Sequence, residues 1–331
     1  MTSFTYSAGP ARVVFGSGTI SVLPDEVADL GASRALVIGS GRAAPARAAL
    51  GALAVAHFGD AAMHTPVEVT EQALAVVHDA NVDCLVAVGG GSAIGLGKAL
   101  ALRTDLPQIV VPTTYAGSEA TPVLGQTADG RKTTIRTPAV LPETIVYDVD
   151  LTVGMPVPLS VTSGINAMAH AVEALYSPDA NPMTDQLALD AIRRLARSLP
   201  RIAAAPADRD ARDDALQAAW LAGTCLGAVS MGLHHKLAHV LGGSFGLPHS
   251  ETHTVLLPHV MAYMAPAAMD RIAETLRVGD APTAVYDLIA ELGGPTSLKA
   301  LGMTEADLAT IDEHQDVLRA AWEGTRPERI S

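Results

Sequence analysis

Residues 82 to 102 read VDCLVAVGGGSAIGLGKALAL. An apolar run rich in β-branched residues stops at Gly89, Gly90 and Gly91, and Ser92 then opens a proline-free stretch with helical spacing. That is the signature of a buried strand, a tight turn and a helix. Backbone without side chains at a helix N-terminus approaches a phosphate closely and donates several N–H groups to it. A bare glycine triplet is equally compatible with a turn that holds nothing.

Two further stretches share the strand signature, RALVIG at residues 34 to 39 and QIVVPTT at 108 to 114. Alanine-rich sequence between them, such as residues 43 to 55, suits helices. Strand, helix and strand repeated through the first half predict a doubly wound α/β domain. Thr113 and Thr114 end the third run, and Tyr115, Gly117 and Ser118 continue it as a second polar loop. Open α/β sheets bind ligands at the carboxyl ends of their strands, so two such loops favour a nucleotide. The glycines do not form the GxGxxG fingerprint of an ordinary Rossmann dehydrogenase. Gly39 and Ser40, ending ALVIGS, occupy the place where an acidic residue would hold a ribose hydroxyl and repel a 2'-phosphate. Neither is acidic, so both NADH and NADPH are chemically allowed.

After TIVYDVDLT (144 to 152) a proline-punctuated turn, GMPVPLS, closes the strand-like part. Segments 161 to 176, 183 to 199, 209 to 224 and 228 to 242 then read as helices. The expected organisation is an α/β dinucleotide-binding domain over 1–153 and an all-α catalytic domain over 154–331. A length of 331 residues suits two cores, because one hydrophobic core rarely grows past roughly 250 to 300 residues. With 49% hydrophobic and 17% charged residues the chain is globular. A net charge of -13, from 22 Lys+Arg against 35 Asp+Glu, argues against nucleic-acid or membrane-surface partners. Cys84 and Cys225 stand far apart in no paired motif, which suits buried thiols in a reducing compartment. MTSFTYSAGPARVVFGSG is no signal peptide, and no apolar run reaches about 18 residues. A cytoplasmic protein is the expectation.

Six of the eleven histidines, His234, His235, His239, His249, His253 and His259, fall within 26 residues. His235 and His239 are four apart, and Asn166 and His170 repeat that spacing earlier. On helices both pairs lie on one face, so two helices are expected to present imidazoles to one cleft. Any single helical histidine is more often capped or hydrogen-bonded than catalytic, and His253 and His259 individually read as packing.

The stretches GGGSAIGLGKALALRTDLPQIVVPTTYAGSEATPVLG, SVTSGINAMAHAVEALYS and MGLHHKLAHVLGGSFGLPHSETHTVLLPHVMAY resemble the maleylacetate reductases. These are a branch of the iron-containing alcohol dehydrogenase superfamily, with a dehydroquinate synthase-like fold. In the wider superfamily a metal sits between an Asp and a His four apart, a third His, and a fourth fourteen residues later. The matching positions are Asn166, His170, His235 and His249, with His239 where a further active-site histidine stands. Three neutral imidazoles and a carboxylate leave a divalent site at +1, and an amide leaves it at +2. The resemblance therefore implies a vestigial site with no bound metal.

It also implies NADH- or NADPH-dependent reduction of the carbon–carbon double bond of maleylacetate, giving 3-oxoadipate in aromatic degradation. His239 or His170, protonated, would serve the enolate, with His235, His249 and Asn166 completing the catalytic set. A dicarboxylate calls for cationic clamps. Lys132 and Arg136, in DGRKTTIRTP, are candidates, Lys132 for the cofactor by resemblance and Arg136 for the substrate. Lys236, next to His235, points about 100° away from it on a helix. A homodimer is implied too. Ala238 and Ala120 replace larger Cys and Met, which widens the pocket or repacks a core. Rival readings are a metal-dependent alcohol dehydrogenase, an enone reductase of secondary metabolism, a dehydroquinate synthase-like lyase, against which Gly95 stands, and a ligand-binding homologue without catalysis.

Overall fold

The three apolar runs around the glycine triplet are neighbouring parallel strands. A computed structural model describes residues 4, 6, 12–128, 131–264 and 266–327, and of residues 131 and 132 the backbone alone. Ser7–Met155 form one compact unit, and Pro156–Ser331 with Met1–Tyr6 form the other.

In the first unit the strands are β1 (Arg12–Gly16), β2 (Ala35–Ile38), β3 (Ala54–Phe58), β4 (Cys84–Gly89), β5 (Gln108–Pro112), β6 (Val123–Ala128), β7 (Arg131–Arg136) and β8 (Thr144–Asp148). Six of them form a parallel sheet ordered β1-β8-β5-β4-β2-β3, and β6 pairs with β7 as an antiparallel hairpin. Helices α1 (Leu23–Asp29), α2 (Ala44–Leu50), α3 (Val67–Asp79) and α4 (Gly91–Thr104) connect them. Alternate residues feed two cores. Val37, Val86, Val88 and Ile109 pack with Leu23, Val27 and Ala46, while Ile38, Leu85, Ala87 and Val110 pack with Val77, Leu96 and Leu100. Burial on both faces is why these strands read as continuous apolar runs. The wholly buried thiol of Cys84 lies in the first of these cores. The alanine-rich segment is helical only as far as Leu50; Gly51 follows at φ 54°, and residues 54–58 are the edge strand β3.

The second unit is helical: α5 (Val157–Ala174), α6 (Pro182–Ala204), α7 (Arg209–Ala228), α8 (Leu233–Phe245), α9 (His249–Tyr263), α10 (Pro266–Leu276), α11 (Ala281–Glu291), α12 (Glu305–Leu308) and α13 (Gln315–Glu323). The helix α5 is buried from Ser160 to Ala174 and packs against α6, α7 and α9. A capping box starts α6, with the Asn181 side chain accepting from Met183 and Thr184 N–H and Thr184 Oγ1 returning to the Asn181 N–H. Cys225, also wholly buried, lies on α7. The sequence pattern places one helix over 228 to 242, but the chain runs extended at Val229 and restarts at Leu233. Gly232 makes this break possible beside α5, since a Cβ there would stand 3.2 Å from Glu173 Oε1. Among the described residues no single helix is long and apolar enough to cross a membrane.

Candidate active site

Helix α5 carries a polar stripe through an apolar sequence. Asn166, His170 and Glu173 sit at i, i+4 and i+7, which places them on one face. All three are buried, Glu173 completely. The Glu173 carboxylate accepts three hydrogen bonds: from the His234 backbone N–H at 2.8 Å, from His235 Nδ1, and from Tyr176 Oη at 3.4 Å. Burial alone would raise this carboxyl, but the bonds and charges of His235 and His234 outweigh it and hold it down at about 2. Glu173 was not singled out from the sequence, although it is the one charged residue in α5 and continues the Asn166–His170 spacing.

Three helices, not two, bring the imidazoles together: α5 gives His170, α8 gives His234, His235 and His239, and α9 gives His249 and His253. His170 and His235 stack with ring centroids 4.9 Å apart. His235 lies 6.2 Å from His239, and His239 6.4 Å from His249. His249 begins α9 and stands 4.5 Å from His253, whose Nδ1 is 2.8 Å from His234 Nε2. The set grades from exposed His239 through half-buried His249 to buried His170, His234 and His253. His259 stands apart, its ring 6.2 Å from Tyr286.

Burial, reinforced by the neighbouring imidazoles, pushes His170 and His253 well below the ordinary histidine value and His234 down to about 3. At neutral pH these three are uncharged. Asn166 Oδ1, His170 Nδ1 and His235 Nε2 are buried with no hydrogen-bond partner among the described residues. Unpaired buried polar atoms are costly, so this face calls for a polar ligand. His235 Nδ1 is committed to Glu173, which leaves Nε2 as the ring's free edge.

Among the described residues the histidines whose ligand atoms lie within 4.8 Å of one another are His234, His235 and His253. Of these, His234 and His253 already bond each other. His170, His235 and His249 do not form such a group.

Lys236 lies on the exposed side of α8, where Nζ pairs with Glu313 at 2.6 Å. Ala238 is buried in the apolar cluster of Leu241, Val255 and Leu256, and Ala120 is buried too. Arg136 is exposed at the end of β7 in the first unit; Lys132 lies outside the residues whose side chains are described.

In the first unit Gly89 ends β4 and Gly90 caps α4, whose first residues are Gly91 and Ser92. The connection from β2 runs outward to β3 and that from β4 runs the opposite way to β5, so the glycine turn at the end of β4 stands where the strand order reverses. A Cβ at Gly90 would stand 3.1 Å from the Thr114 side chain, and the Thr113 N–H donates to Gly89 O at 2.9 Å. Gly39 follows the neighbouring strand β2 at φ 143°, with Ser40 exposed beside it. Tyr115 is buried and Ser118 half-buried. Gly95 packs on Thr65, whose Oγ1 would be 2.3 Å from a Cβ. The aspartate of the lyase reading would require Thr65 to shift.

The family model for iron-containing alcohol dehydrogenase matches residues 10–149, and that for the C-terminal part of the Fe-containing alcohol dehydrogenase family matches residues 160–330. The chain belongs to the iron-containing alcohol dehydrogenase family. It is an oxidoreductase of that family, with the α/β and all-α architecture expected from the sequence. Among iron-containing alcohol dehydrogenases it is 50% identical to maleylacetate reductase 1 of Rhodococcus opacus, over 98% of either chain. The solved maleylacetate reductase of Agrobacterium tumefaciens is 49% identical with a TM-score of 0.93, over 99% of this chain and 100% of that one. The maleylacetate reductase of Rhizobium sp. strain MTP-10005 is 50% identical with a TM-score of 0.92, over the same shares.

Proposed function

We propose that this chain reduces the carbon–carbon double bond of maleylacetate to give 3-oxoadipate, using NADH or NADPH and no resident metal. The observation that carries the reading is the buried face of Asn166 Oδ1, His170 Nδ1 and His235 Nε2, polar atoms left without partners beside an ionised Glu173. Likeness to maleylacetate reductases over nearly the whole chain supports the substrate.

When bound, the nicotinamide supplies the hydride, which adds to the alkene carbon β to the ketone. Negative charge then develops on the ketone oxygen, and donors placed for it stabilise the enolate. His170 is neutral and serves as a hydrogen-bonding imidazole. His239 is exposed, so it exchanges protons with water and is the donor that delivers one to the α carbon. Glu173 fixes the His235 ring. Asn166 offers an amide in place of the carboxylate that would offset a divalent ion's charge, which favours the metal-free reading.

Gly39 and Ser40 carry no acidic side chain, so either nucleotide is admitted. Arg136 is the proposed partner of a substrate carboxylate and Lys132 that of the nucleotide; Lys236, engaged with Glu313, is the weaker substrate candidate. A cytoplasmic homodimer without nucleic-acid or membrane partners completes the reading.

The deciding experiment follows nicotinamide absorbance with maleylacetate and each nucleotide, before and after a strong chelator. Turnover that survives chelation is the expected result. Turnover of simple aldehydes alone, lost on chelation and restored by iron or zinc, points instead to a metal-dependent alcohol dehydrogenase.

A further inference from the structure

Lys98 is a charged residue in the interior that the chemistry above does not use. It lies two turns into α4 and is 2% exposed. Its Nζ is 2.6 Å from Ser118 O, 2.7 Å from Thr121 O, and 3.0 Å from both Thr121 Oγ1 and Val123 O. These acceptors run from the segment that leaves β5 to Val123, the first residue of β6. An ammonium has three protons, and here four oxygens surround it. Beside them Glu119 is wholly buried, with Tyr147 Oη donating to its Oε1 at 2.9 Å.

A buried ammonium is expensive to desolvate, and burial does draw Lys98 down to about 7, against the opposing pull of Glu119. An apolar side chain would fill the space without that cost. What it could not do is donate hydrogen bonds to the carbonyls gathered there. One nitrogen serves the carbonyls of Ser118, Thr121 and Val123 together, so the course of this loop is set from a point on α4. The same helix begins at the glycine turn. The turn and the loop already touch at their tips, Gly90 against Thr114 and the Thr113 N–H on Gly89 O. Lys98 ties them a second time from beneath.

We propose that Lys98 is a positioning residue for the dinucleotide: it holds the Tyr115–Ser118 loop at a fixed offset from the Gly89–Ser92 turn, so that both meet the same ligand. This rests on reading the two loops as the nucleotide site. Preformed geometry of this kind lowers the ordering cost of binding and leaves the chemical step alone.

Lys98→Met keeps the bulk of the side chain and removes its N–H groups. In the full-length protein, NADH binding followed by nicotinamide fluorescence should weaken about tenfold or more. At saturating NADH, kcat should stay within about threefold of wild type. Without nucleotide, amide exchange should quicken over 115–121 and stay unchanged in β4 and β5. Thr121→Val, which removes one acceptor of the lysine together with the Thr121 Oγ1 donor to Ser118 O, should weaken NADH binding by about twofold to threefold, and it decides the matter if Lys98→Met does not fold. Wild-type NADH affinity in a folded Lys98→Met, or in Thr121→Val when that variant decides, overturns the proposal. So does loop exchange that stays at the wild-type rate. A wild-type chain that binds neither NADH nor NADPH overturns the nucleotide reading and the proposal with it.

Discussion

Glu173 and His235 face each other across α5 and α8, with the carboxylate on Nδ1 of the ring. The same carboxylate accepts from the His234 N–H in the first turn of α8. One side chain thereby sets both where α8 begins and how its second histidine is turned. Glu173→Gln keeps the shape, but its amide can donate to Nδ1 and so reverse the tautomer. Loss of such an outer partner typically costs 10- to 100-fold, and we expect about that loss in kcat with maleylacetate. Glu173→Asp should recover part of it. Equal activity in Glu173→Gln and wild type would show that His235 is held by packing alone.

His239 is exposed and His170 is buried. His239→Gln should lower kcat by about a hundredfold with KM changed little, because a proton donor is lost and binding is not. Restoration of turnover by added imidazole would support the assignment. A variant that loses KM alone would place His239 among the binding groups.

Asn166→Asp restores the carboxylate. We expect affinity for ferrous iron or zinc to rise by about tenfold or more, read as metal retained after dialysis, with maleylacetate turnover reduced. Equal retention by wild type and variant would mean that the charge at this position does not govern metal binding.

Acid should unfold the protein early. Burial lowers His259 to about 4 from its ordinary 6.5. Its folded-state value lies below its unfolded one, so the unfolded chain binds the extra proton between these two values. The stabilisation is complete above pH 6.5 and is lost as pH falls from there through 4. It amounts to at most about 3 kcal/mol. His170, His234 and His253 act in the same direction. His259→Phe should flatten the acid limb of a urea-midpoint profile in that window. A profile that superposes on the wild type's would assign the acid limb to other groups.

Gly39 stands where β2 meets β4, and a Cβ there would come within 2.2 Å of Val88 O at φ 143°. Gly39→Ala should cost about 2 to 4 kcal/mol by chemical denaturation. A neutral result would mean that the two strand ends separate readily.

The fold was legible where burial was uniform. β2, β4 and β5 are buried along their lengths and appear as unbroken apolar runs, whereas β1 and β3 are edge strands of mixed exposure that carry no such run. The β6–β7 hairpin includes RKTTIR, which is polar except for Ile135. In the site, the spacing of Asn166, His170, His235 and His239 marked two helix faces. No spacing rule joins His249 and His253 to those faces, because a turn at Gly246–Pro248 redirects the chain before α9 begins. Lys98 stayed invisible for a different reason: a lysine in a helix reads as solvated by default, and only three-dimensional neighbours reveal otherwise.

The two thiols are placed one to each unit, Cys84 in β4 and Cys225 in α7, and burial pushes both up to about 12. Neither is a thiolate at neutral pH, and neither meets solvent while its unit is closed. Alkylation therefore clocks opening events rather than surface chemistry. Single Cys→Ser variants would separate the breathing of the sheet from that of the helices, giving each half of the enzyme its own stopwatch.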